Sequence, residues 1–375
     1  MKAPTTLTVA FAALLASACS TTSNESSLPV IDLNSISNID KKIELDTEAL
    51  GWKQTFIPLE TNDSCLISSI TQIETSSDAY WIVSRGTIFK FDKQGKYVGK
   101  LGSIGQGPGE FTSAEKIQID EPNNEIFVMD YFGRKMVTYD MNGKFIRSFL
   151  LPPVQHINNF SVFDDKLYYY GFDNGVSPAL IAVNTNDLKA DTISKSDREM
   201  NLGEAFMGTT FMGSVDNDIY LYHYFNDTIF HMQPDNKLTP AGFVNMKDLY
   251  FDYDELTYNE NSEPLKRATG QRAVTTNFVN TDRYYFVTYA LGDPYGKDKY
   301  SQLALYDKRA NKSYANVVIN DPKSKELIIN GETPLLSPDG KTIISYMLAF
   351  KAAETDLFPN VAEEDNPILV IYEPQ

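Results

Sequence analysis

The chain has 375 residues, of which 42% are apolar, and it contains 22 Phe and 22 Tyr. This content is ample for a core and favours pleated sheet over helix. The formal net charge of −17 argues against nucleic acid as a partner, because nucleic-acid binding needs Lys and Arg clustered on one basic surface.

The first residues predict a secretion signal that is not part of the fold. Lys2 supplies a positive charge, Leu7–Leu15 is apolar, and small residues lead to Cys19 in the stretch LASAC. This arrangement resembles the lipobox of bacterial lipoprotein signals, which implies that Cys19 is acylated. The alternative is ordinary secretion with cleavage near Ala18.

These observations divide the chain into a signal peptide (1–18), an acylated cysteine with a flexible tether (19–30) and a single folded domain (31–375). The lipid implies anchoring in the bacterial cell envelope, and we expect the outer membrane. The tether Ser20–Ser27 lacks the acidic run that resembles surface-export tethers, so periplasmic and surface-facing locations both stay open. No other stretch approaches the ~20 apolar residues of a spanning helix.

Short alternations of apolar and polar residues, separated by turn residues, dominate the rest of the chain and predict antiparallel strands. Two copies of one unit are clear, because Ile126–Phe149 repeats the pattern of Tyr80–Leu101. Each copy contains a Gly-Lys turn, and the two turn glycines, Gly95 and Gly143, lie about 48 residues apart. This spacing is within the ~40–50 residues of a propeller blade.

Four weaker copies follow, with predicted strands inside 160–193, 210–244, 277–319 and 333–372. The last copy is one strand short, and Thr55–Leu59 (TFIPL) near the N-terminus has no blade of its own. Pairing the two would close the ring and cover both bare edges. We therefore predict an all-β fold, a six-bladed β-propeller with four-stranded antiparallel blades and a last blade closed by an N-terminal strand. Helix is possible only inside 251–273 and 346–355.

The stretch Leu101–Phe111 (LGSIGQGPGEF) joins the first two blades, and its four glycines and Pro108 require an irregular turn. With the turn before it and the lipobox, Gly105–Phe111 is similar to the six-bladed β-propeller lipoproteins of the NHL/TolB-like group. The motif covers residues 82–149, whereas the general strand pattern covers nearly the whole mature chain. Members are mostly of undefined function, so the resemblance implies a fold and an envelope location.

One face of the predicted ring carries the blade-to-blade joints and the loops between the second and third strands of each blade. All the long loops fall on this side, here called the joint face, and long loops on a rigid scaffold often carry function. We predict a ligand-binding surface there. Its candidate residues are Arg85, Gln106, Glu110, Tyr131, Arg134, Tyr224, Asn226, Asp293 and Tyr295.

Structural roles compete with binding at these positions. Arg85 and Arg134 occupy corresponding loops and offer guanidinium groups to a carboxylate or phosphate, but they could instead pair with Glu110 or Asp130 and lock neighbouring blades. Gln106 and Glu110 could satisfy backbone groups of the joint rather than contact a ligand. Tyr side chains offer flat platforms for sugars or peptides.

The motifs of catalysis and metal binding are weak. The glycines of the joint do not match GxGxxG, and no helix follows to hold a phosphate. Ser113–Lys116 spells SxxK, but on a strand, where positions three apart point to opposite faces. Asp252–Glu255 lacks the glycine of a calcium loop. We expect no metal or other cofactor from His156, His223 and His231, although the last two could form a pair.

The resulting hypothesis is a lipid-anchored envelope propeller that binds a peptide, a glycan or a partner protein of the envelope, without catalysis. The alternative is a propeller hydrolase or lyase whose site lies at the mouth of the central channel. A third interpretation is a scaffold subunit of a larger envelope complex. With Cys19 acylated, Cys65 would be the only thiol, which excludes an intramolecular disulfide and favours a buried, unreactive side chain.

Overall fold

Six antiparallel sheets follow one another around a ring, and from blade 1 to blade 5 the innermost strands of successive blades are in contact. The protein is therefore a six-bladed β-propeller, as predicted. The computed structural model describes residues 28–33, 42–151, 155–173, 177–195, 210–215, 218–223, 227–233, 235–249, 257–258, 264–266, 272–292, 300–322, 324–331 and 333–375.

The strands of each blade follow the chain from the axis outward. Blade 1 has Gln72–Thr75, Ala79–Ser84, Thr87–Asp92 and Tyr97–Leu101. Blade 2 has Lys116–Asp120, Glu125–Asp130, Lys135–Asp140 and Phe145–Leu150. Blade 3 has Gln155–Phe163, Lys166–Asp173, Ser177–Asn184 and Ala190–Lys195. Blade 4 has Thr210–Val215, Asp218–His223, Thr228–Met232 and Leu238–Asn245. Blade 5 has Arg272–Asn280, Tyr284–Gly292, Tyr300–Asp307 and Lys312–Tyr314.

Blade 6 is assembled from both ends of the chain. Ile343–Met347 pairs with Ile368–Pro374, which in turn pairs with the N-terminal strand Trp52–Pro58, here called the closing strand. The seven-residue register runs from Trp52 opposite Pro374 to Pro58 opposite Ile368. A bridge between Leu336 and Ile344 marks the innermost position. The prediction that an N-terminal strand closes the ring is confirmed.

The repeated turns have a common local cause. Asp92 Oδ1 accepts hydrogen bonds from the N–H groups of Gln94 and Lys96, both at 2.9 Å, and Asp140 makes the equivalent bonds in blade 2. Such Asx turns satisfy loose backbone donors at a hairpin end. Gly95 has a φ of 82°, which favours glycine, and an added Cβ would also collide with the Pro58 carbonyl of the closing strand.

Six apolar layers hold the blades together, one between each neighbouring pair. The layer between blades 5 and 6 contains Trp52, Phe286, Leu303 and Val370, so the closing strand contributes to an interface as well as to a sheet. The alternation of the sequence produces these layers, because successive side chains of a strand point to the two neighbouring blades.

Two further N-terminal strands lie outside the predicted pattern. Val30–Asp32 runs parallel to the outer strand of blade 4, and Ile43–Asp46 runs parallel to Val317–Asp321, which also pairs with Ser324–Ile329. The predicted outer strand of blade 5 extended to Ile319, but Asn316 has a φ of 51° and ends the regular strand. The chain then leaves the blade, and its continuation serves the small extra sheet.

The remaining elements are short. Ser103–Ile104 pairs with Glu110–Phe111, and Thr257–Tyr258 pairs with Pro264–Lys266. Within the described ranges, helix is limited to the 3-10 turn Lys247–Leu249 and the helix Ala349–Ala353. None of the described helices is long and apolar enough to cross a membrane.

Trp52→Ala should destabilise the protein by ~3–5 kcal/mol, because it removes a buried aromatic side chain from the layer that closes the ring. The Trp52 ring lies 5.6 Å from that of Tyr284 and 5.7 Å from that of Tyr372, and its Nε1 donates to the Tyr284 hydroxyl at 3.3 Å. Urea unfolding measures the change. Val98→Ala, at an exposed position of blade 1, is the control. A loss below ~1 kcal/mol for Trp52→Ala would contradict a stabilising role for this closure.

Candidate functional site

The joint between blades 1 and 2 is held in one shape by its own carboxylate. The Gly107 N–H donates to Glu110 Oε2 at 2.7 Å, and an added Cβ at Gly105 would collide with the same carboxylate. Gly109 has a φ of 74°. The glycines therefore make room for Glu110 to turn back on the loop. Glu110 satisfies backbone groups within the joint, which was one of the two predicted roles.

Side chains of blade 2 also hold this joint in place through hydrogen bonds. The Tyr139 hydroxyl donates to the Gly109 carbonyl at 2.6 Å, and Lys135 Nζ donates to the Glu110 carbonyl at 2.8 Å. Asp130 is fully buried, and its two carboxylate oxygens accept from the N–H groups of Thr112 and Gly133 at 2.7 and 2.9 Å. The joint and the neighbouring turn are thereby one rigid unit.

Two arginines lie in corresponding turns, between the second and third strands of blades 1 and 2. Arg85 and Arg134 both have left-handed backbones, with φ of 46° and 49°, and both are exposed. The carboxylates predicted to lock them, those of Glu110 and Asp130, are bound to backbone N–H groups instead. Within the described ranges, neither guanidinium has an ion pair.

Three exposed apolar side chains lie on the same two blades as the arginines, and sequence reasoning missed them. Ile104 lies in the joint, Phe132 in the turn before Arg134, and Leu150 at the end of the outer strand of blade 2. Their exposed fractions are 60%, 70% and 78%. The ring of Tyr131 packs edge-on against that of Phe132 at 5.6 Å. The strand pattern did not predict their exposure, because apolar residues in an alternating stretch are assigned to the core by default. We call Ile104, Phe132, Leu150 and the two arginines the joint patch.

The structure brings five of the nine predicted site residues to the first two blades. Gln106 is exposed on the joint, beside Glu110, and Tyr131 is half-buried in the turn next to it. The other candidates, Tyr224, Asn226, Asp293 and Tyr295, lie outside the described residues, and so does Cys19. Cys65 is buried as a free thiol, and burial raises its pKa.

The central channel is lined by amide side chains that bridge neighbouring blades. Gln72 accepts from Ile117 N–H at 2.8 Å and donates to the Ile117 carbonyl at 2.7 Å, and Gln118 makes the same pair of bonds with Val162 in blade 3. Each side-chain amide therefore bonds to the main chain of the next blade as a neighbouring strand would. These residues stabilise the ring, and their regular spacing on innermost strands would have been a detectable pattern.

A carboxylate and an amine share this channel. Burial raises the pKa of Glu74 to about 8, although a hydrogen bond from Gln72 Nε2 at 2.7 Å and the nearby Lys116 ammonium oppose the rise. Burial also lowers the pKa of Lys116. A carboxylic acid that is largely protonated near neutral pH can donate a proton. Among the described groups of the channel, Glu74 therefore has the pKa suited to acid catalysis.

In the described ranges, no three His, Cys, Asp or Glu side chains are arranged to hold a metal ion. His231 stacks on Tyr220, with ring centroids 4.8 Å apart, and its Nε2 lies 3.3 Å from Asp218. The side chains of His156 and His223, the latter predicted as a possible partner, lie outside the described part.

Two cationic side chains on the opposite face, those of Arg283 and Lys308, have internal partners. Arg283 donates to Asp307 at 3.1 Å and to the main-chain oxygen of Gln375 at 2.9 Å. Lys308 donates to Asn280 Oδ1 at 2.6 Å, and burial lowers its pKa to about 8. These cations stabilise turns of the fold.

Comparisons with known proteins give a family and a fold. A family model described as a domain of unknown function, DUF4934, matches residues 28–373. Among curated proteins, no sequence matches. A Bacteroides fragilis protein whose name describes it as exported shares 18% identity, with 92% of this chain and 99% of that chain covered and a TM-score of 0.66.

Two other solved structures are more distant. A DUF4221 member from Bacteroides vulgatus has 9% identity, coverage of 86% and 96%, and a TM-score of 0.49. Virginiamycin B lyase from Staphylococcus aureus has 12% identity, coverage of 86% and 99%, and a TM-score of 0.40. The B. fragilis structure therefore supports the fold, and the two distant ones add nothing to the argument.

The stability of the protein should fall as pH rises from about 4.5 to about 8 because of Glu74. In this window the folded state keeps a proton that the unfolded chain has released, so deprotonation favours unfolding. Glu74→Gln should remove this part of the slope in urea unfolding measured across the window. Glu363→Gln, at an exposed position, should keep it. An unchanged slope in Glu74→Gln would show that another group is responsible.

Proposed function

The chain belongs to the DUF4934 family, whose function is undefined, and from its geometry we propose that it binds a peptide or partner protein through the joint patch. The observation that carries the proposal is the pair of exposed, left-handed arginines, Arg85 and Arg134, without described ion partners. The rigid joint between them holds the surface in a binding-ready shape, which lowers the entropy cost of association.

The chemistry of the joint patch selects the kind of ligand. Guanidinium groups bind carboxylate in a two-pronged geometry, and Ile104, Phe132 and Leu150 add apolar area beside them. A protein segment with acidic residues next to apolar ones matches both features. A glycan matches less well, because exposed aliphatic side chains offer little to a surface of hydroxyl groups.

We also propose that the protein is lipid-anchored in the cell envelope through Cys19, with the outer membrane as the expected site. The LASAC stretch supports this proposal, and the B. fragilis protein is consistent with export. The resemblance to the NHL/TolB-like lipoproteins stays a prediction beside the family assignment.

Catalysis in the channel is the second candidate, and Glu74 is the observation that favours it. An acid alone is insufficient for glycoside or acyl chemistry, which requires a second group in a defined position. The neighbouring carboxylate of Asp339 is occupied by the N–H groups of Lys341 and Thr342 at 2.9 and 2.7 Å. Binding at the joint patch therefore remains the better-supported proposal.

The double variant Arg85→Gly/Arg134→Gly should lose binding and keep its fold. Glycine adopts the left-handed region freely, so stability should be unchanged or higher by ~1 kcal/mol per site. Affinity for the native partner should fall at least about tenfold for each lost charge-assisted contact. The measurement compares proteins that co-purify from detergent-solubilised envelopes with each form, together with urea unfolding.

The control for this experiment is Lys96→Ala/Lys144→Ala, which removes two exposed cations from the opposite face. Capture of the same partners by wild-type protein and the arginine variant would reject the joint patch. A loss of stability instead of binding would assign the arginines to the fold.

Cys19→Ala should move the protein from the membrane fraction to the soluble fraction and abolish labelling by a fatty-acid analogue. The reason is that the thiol is the acylated group of the predicted lipobox. Retention in the membrane fraction with unchanged labelling would contradict the proposal that Cys19 carries the lipid anchor. The joint patch proposal would not be affected.

A further inference from the structure

A lysine and an asparagine side chain meet at the opposite-face end of blade 5. Asn280 is the last residue of the first strand, and Lys308 directly follows the third strand, 28 positions later. Lys308 Nζ donates to Asn280 Oδ1 at 2.6 Å and also to the Thr281 carbonyl. The second strand pairs with both of the others, so this contact joins strands that are not neighbours in the sheet.

Aromatic rings enclose the contact. Tyr285 is the strand partner of Asn280, and its ring centre lies 4.1 Å from Lys308 Nζ. The ring centre of Tyr220, from blade 4, lies 5.9 Å from the same atom. Asn280 and Tyr285 are both buried, and Lys308 is half-buried. The amine and the amide therefore meet where access of water is limited.

This burial changes the charge state of Lys308. It lowers the pKa of the amine to about 8, although the nearby Asp282 carboxylate opposes the shift. Roughly a tenth of the amine is therefore uncharged at physiological pH. Within the described ranges Lys308 has no ion pair. A neutral lysine amine keeps two N–H donors for the two oxygen acceptors and has a free lone pair, which makes it a nucleophile.

The amide nitrogen of Asn280 lacks a partner. Nδ2 is buried, and no acceptor contacts it among the described residues. A buried donor without an acceptor costs free energy and calls for an explanation. Loss of this nitrogen as ammonia would remove the unpaired donor, whereas Oδ1 would stay in place as a carbonyl oxygen.

The two atoms that would have to react are already close. Because an amide C=O bond is about 1.2 Å long, the hydrogen bond of 2.6 Å places Lys308 Nζ no more than about 3.8 Å from Asn280 Cγ. Reactive arrangements hold the two atoms about 3–3.5 Å apart. A small rotation of the Asn280 amide is therefore enough to bring Nζ over Cγ.

We propose that Lys308 and Asn280 join through an intramolecular amide bond, which makes this pair a self-modification site. The lone pair of Nζ attacks Cγ, one Nζ proton passes to Nδ2, and the Cγ–Nδ2 bond breaks to release ammonia. The step is not a redox reaction and needs no other reactant. The product links the ends of the first and third strands of blade 5 and closes a loop of 28 positions, which restricts the unfolded chain. This site is independent of the joint patch.

The test uses the purified, folded protein, incubated for a day at about pH 9, where most of the Lys308 amine is neutral. The protein is then unfolded and digested with trypsin, which does not cleave after an acylated lysine. Mass spectrometry should find the fragment Ala273–Arg283 joined to Tyr300–Arg309. The joined species should be lighter by one ammonia than the sum of the two fragments.

Three variants assign the bond to this pair. Lys308→Arg keeps a cation with N–H donors but cannot form the amide, and Asn280→Ala lacks the acyl carbon. Both should lose the joined species completely. Lys90→Arg is the matched control, because Lys90 also lies on the third strand of its blade and is paired with Asp78 at 3.1 Å. It should give as much of the joined species as the wild-type protein.

The contribution of the fold is tested with synthetic Ala273–Arg283 and Tyr300–Arg309, mixed and incubated in the same way. These peptides should stay separate, because only the folded chain holds the amine against the amide. Absence of the joined species from the wild-type protein would overturn the proposal, whether or not the variants fold. Loss of ammonia from a single, unjoined fragment counts as absence. Joining that persists in Lys308→Arg, or that free peptides reach equally, would also reject it.

Discussion

The pairing of Trp52–Pro58 with Ile368–Pro374 is the interaction on which the rest of the molecule depends, because it joins strands separated by nearly the whole chain. Without it, blade 6 has a bare edge and blades 5 and 1 each lose part of an apolar layer. Such a long-range contact costs loop entropy before it contributes stability. Folding therefore cannot be completed until the last strand has been made.

Much of this architecture was predictable, and the reasons are local. The Asp-x-x-Gly-Lys hairpins at Asp92 and Asp140 and the alternating strands repeat at a fixed interval, so the blade count and the closing strand followed from pattern alone. The strand boundary at Asn316 did not, because a single left-handed residue interrupts an otherwise regular alternation. Val30–Asp32 was also missed, since three residues are too few for a period to be recognised.

The site was predictable only in outline. Corresponding loops placed Arg85 and Arg134 on one face, but sequence cannot say which carboxylates are consumed by backbone donors. In the structure, the carboxylate of buried Asp130 and that of Glu110, which turns back onto its own loop, both accept from backbone N–H groups. Exposure of Phe132 and Leu150 was invisible for the converse reason, that strand alternation does not distinguish a core layer from the end of a blade.

The strand Val30–Asp32 has a mechanical consequence for whatever lies before it. Its hydrogen bonds and the buried Ile31 and Leu33 attach the chain to blades 4 and 5 before it reaches the closing strand. A pull on residues preceding Leu28 is therefore resisted first by this short strand in shear. The ring closure bears load only after this strand and Ile43–Asp46 have both detached, so these two short pairings protect it from tension applied on the N-terminal side.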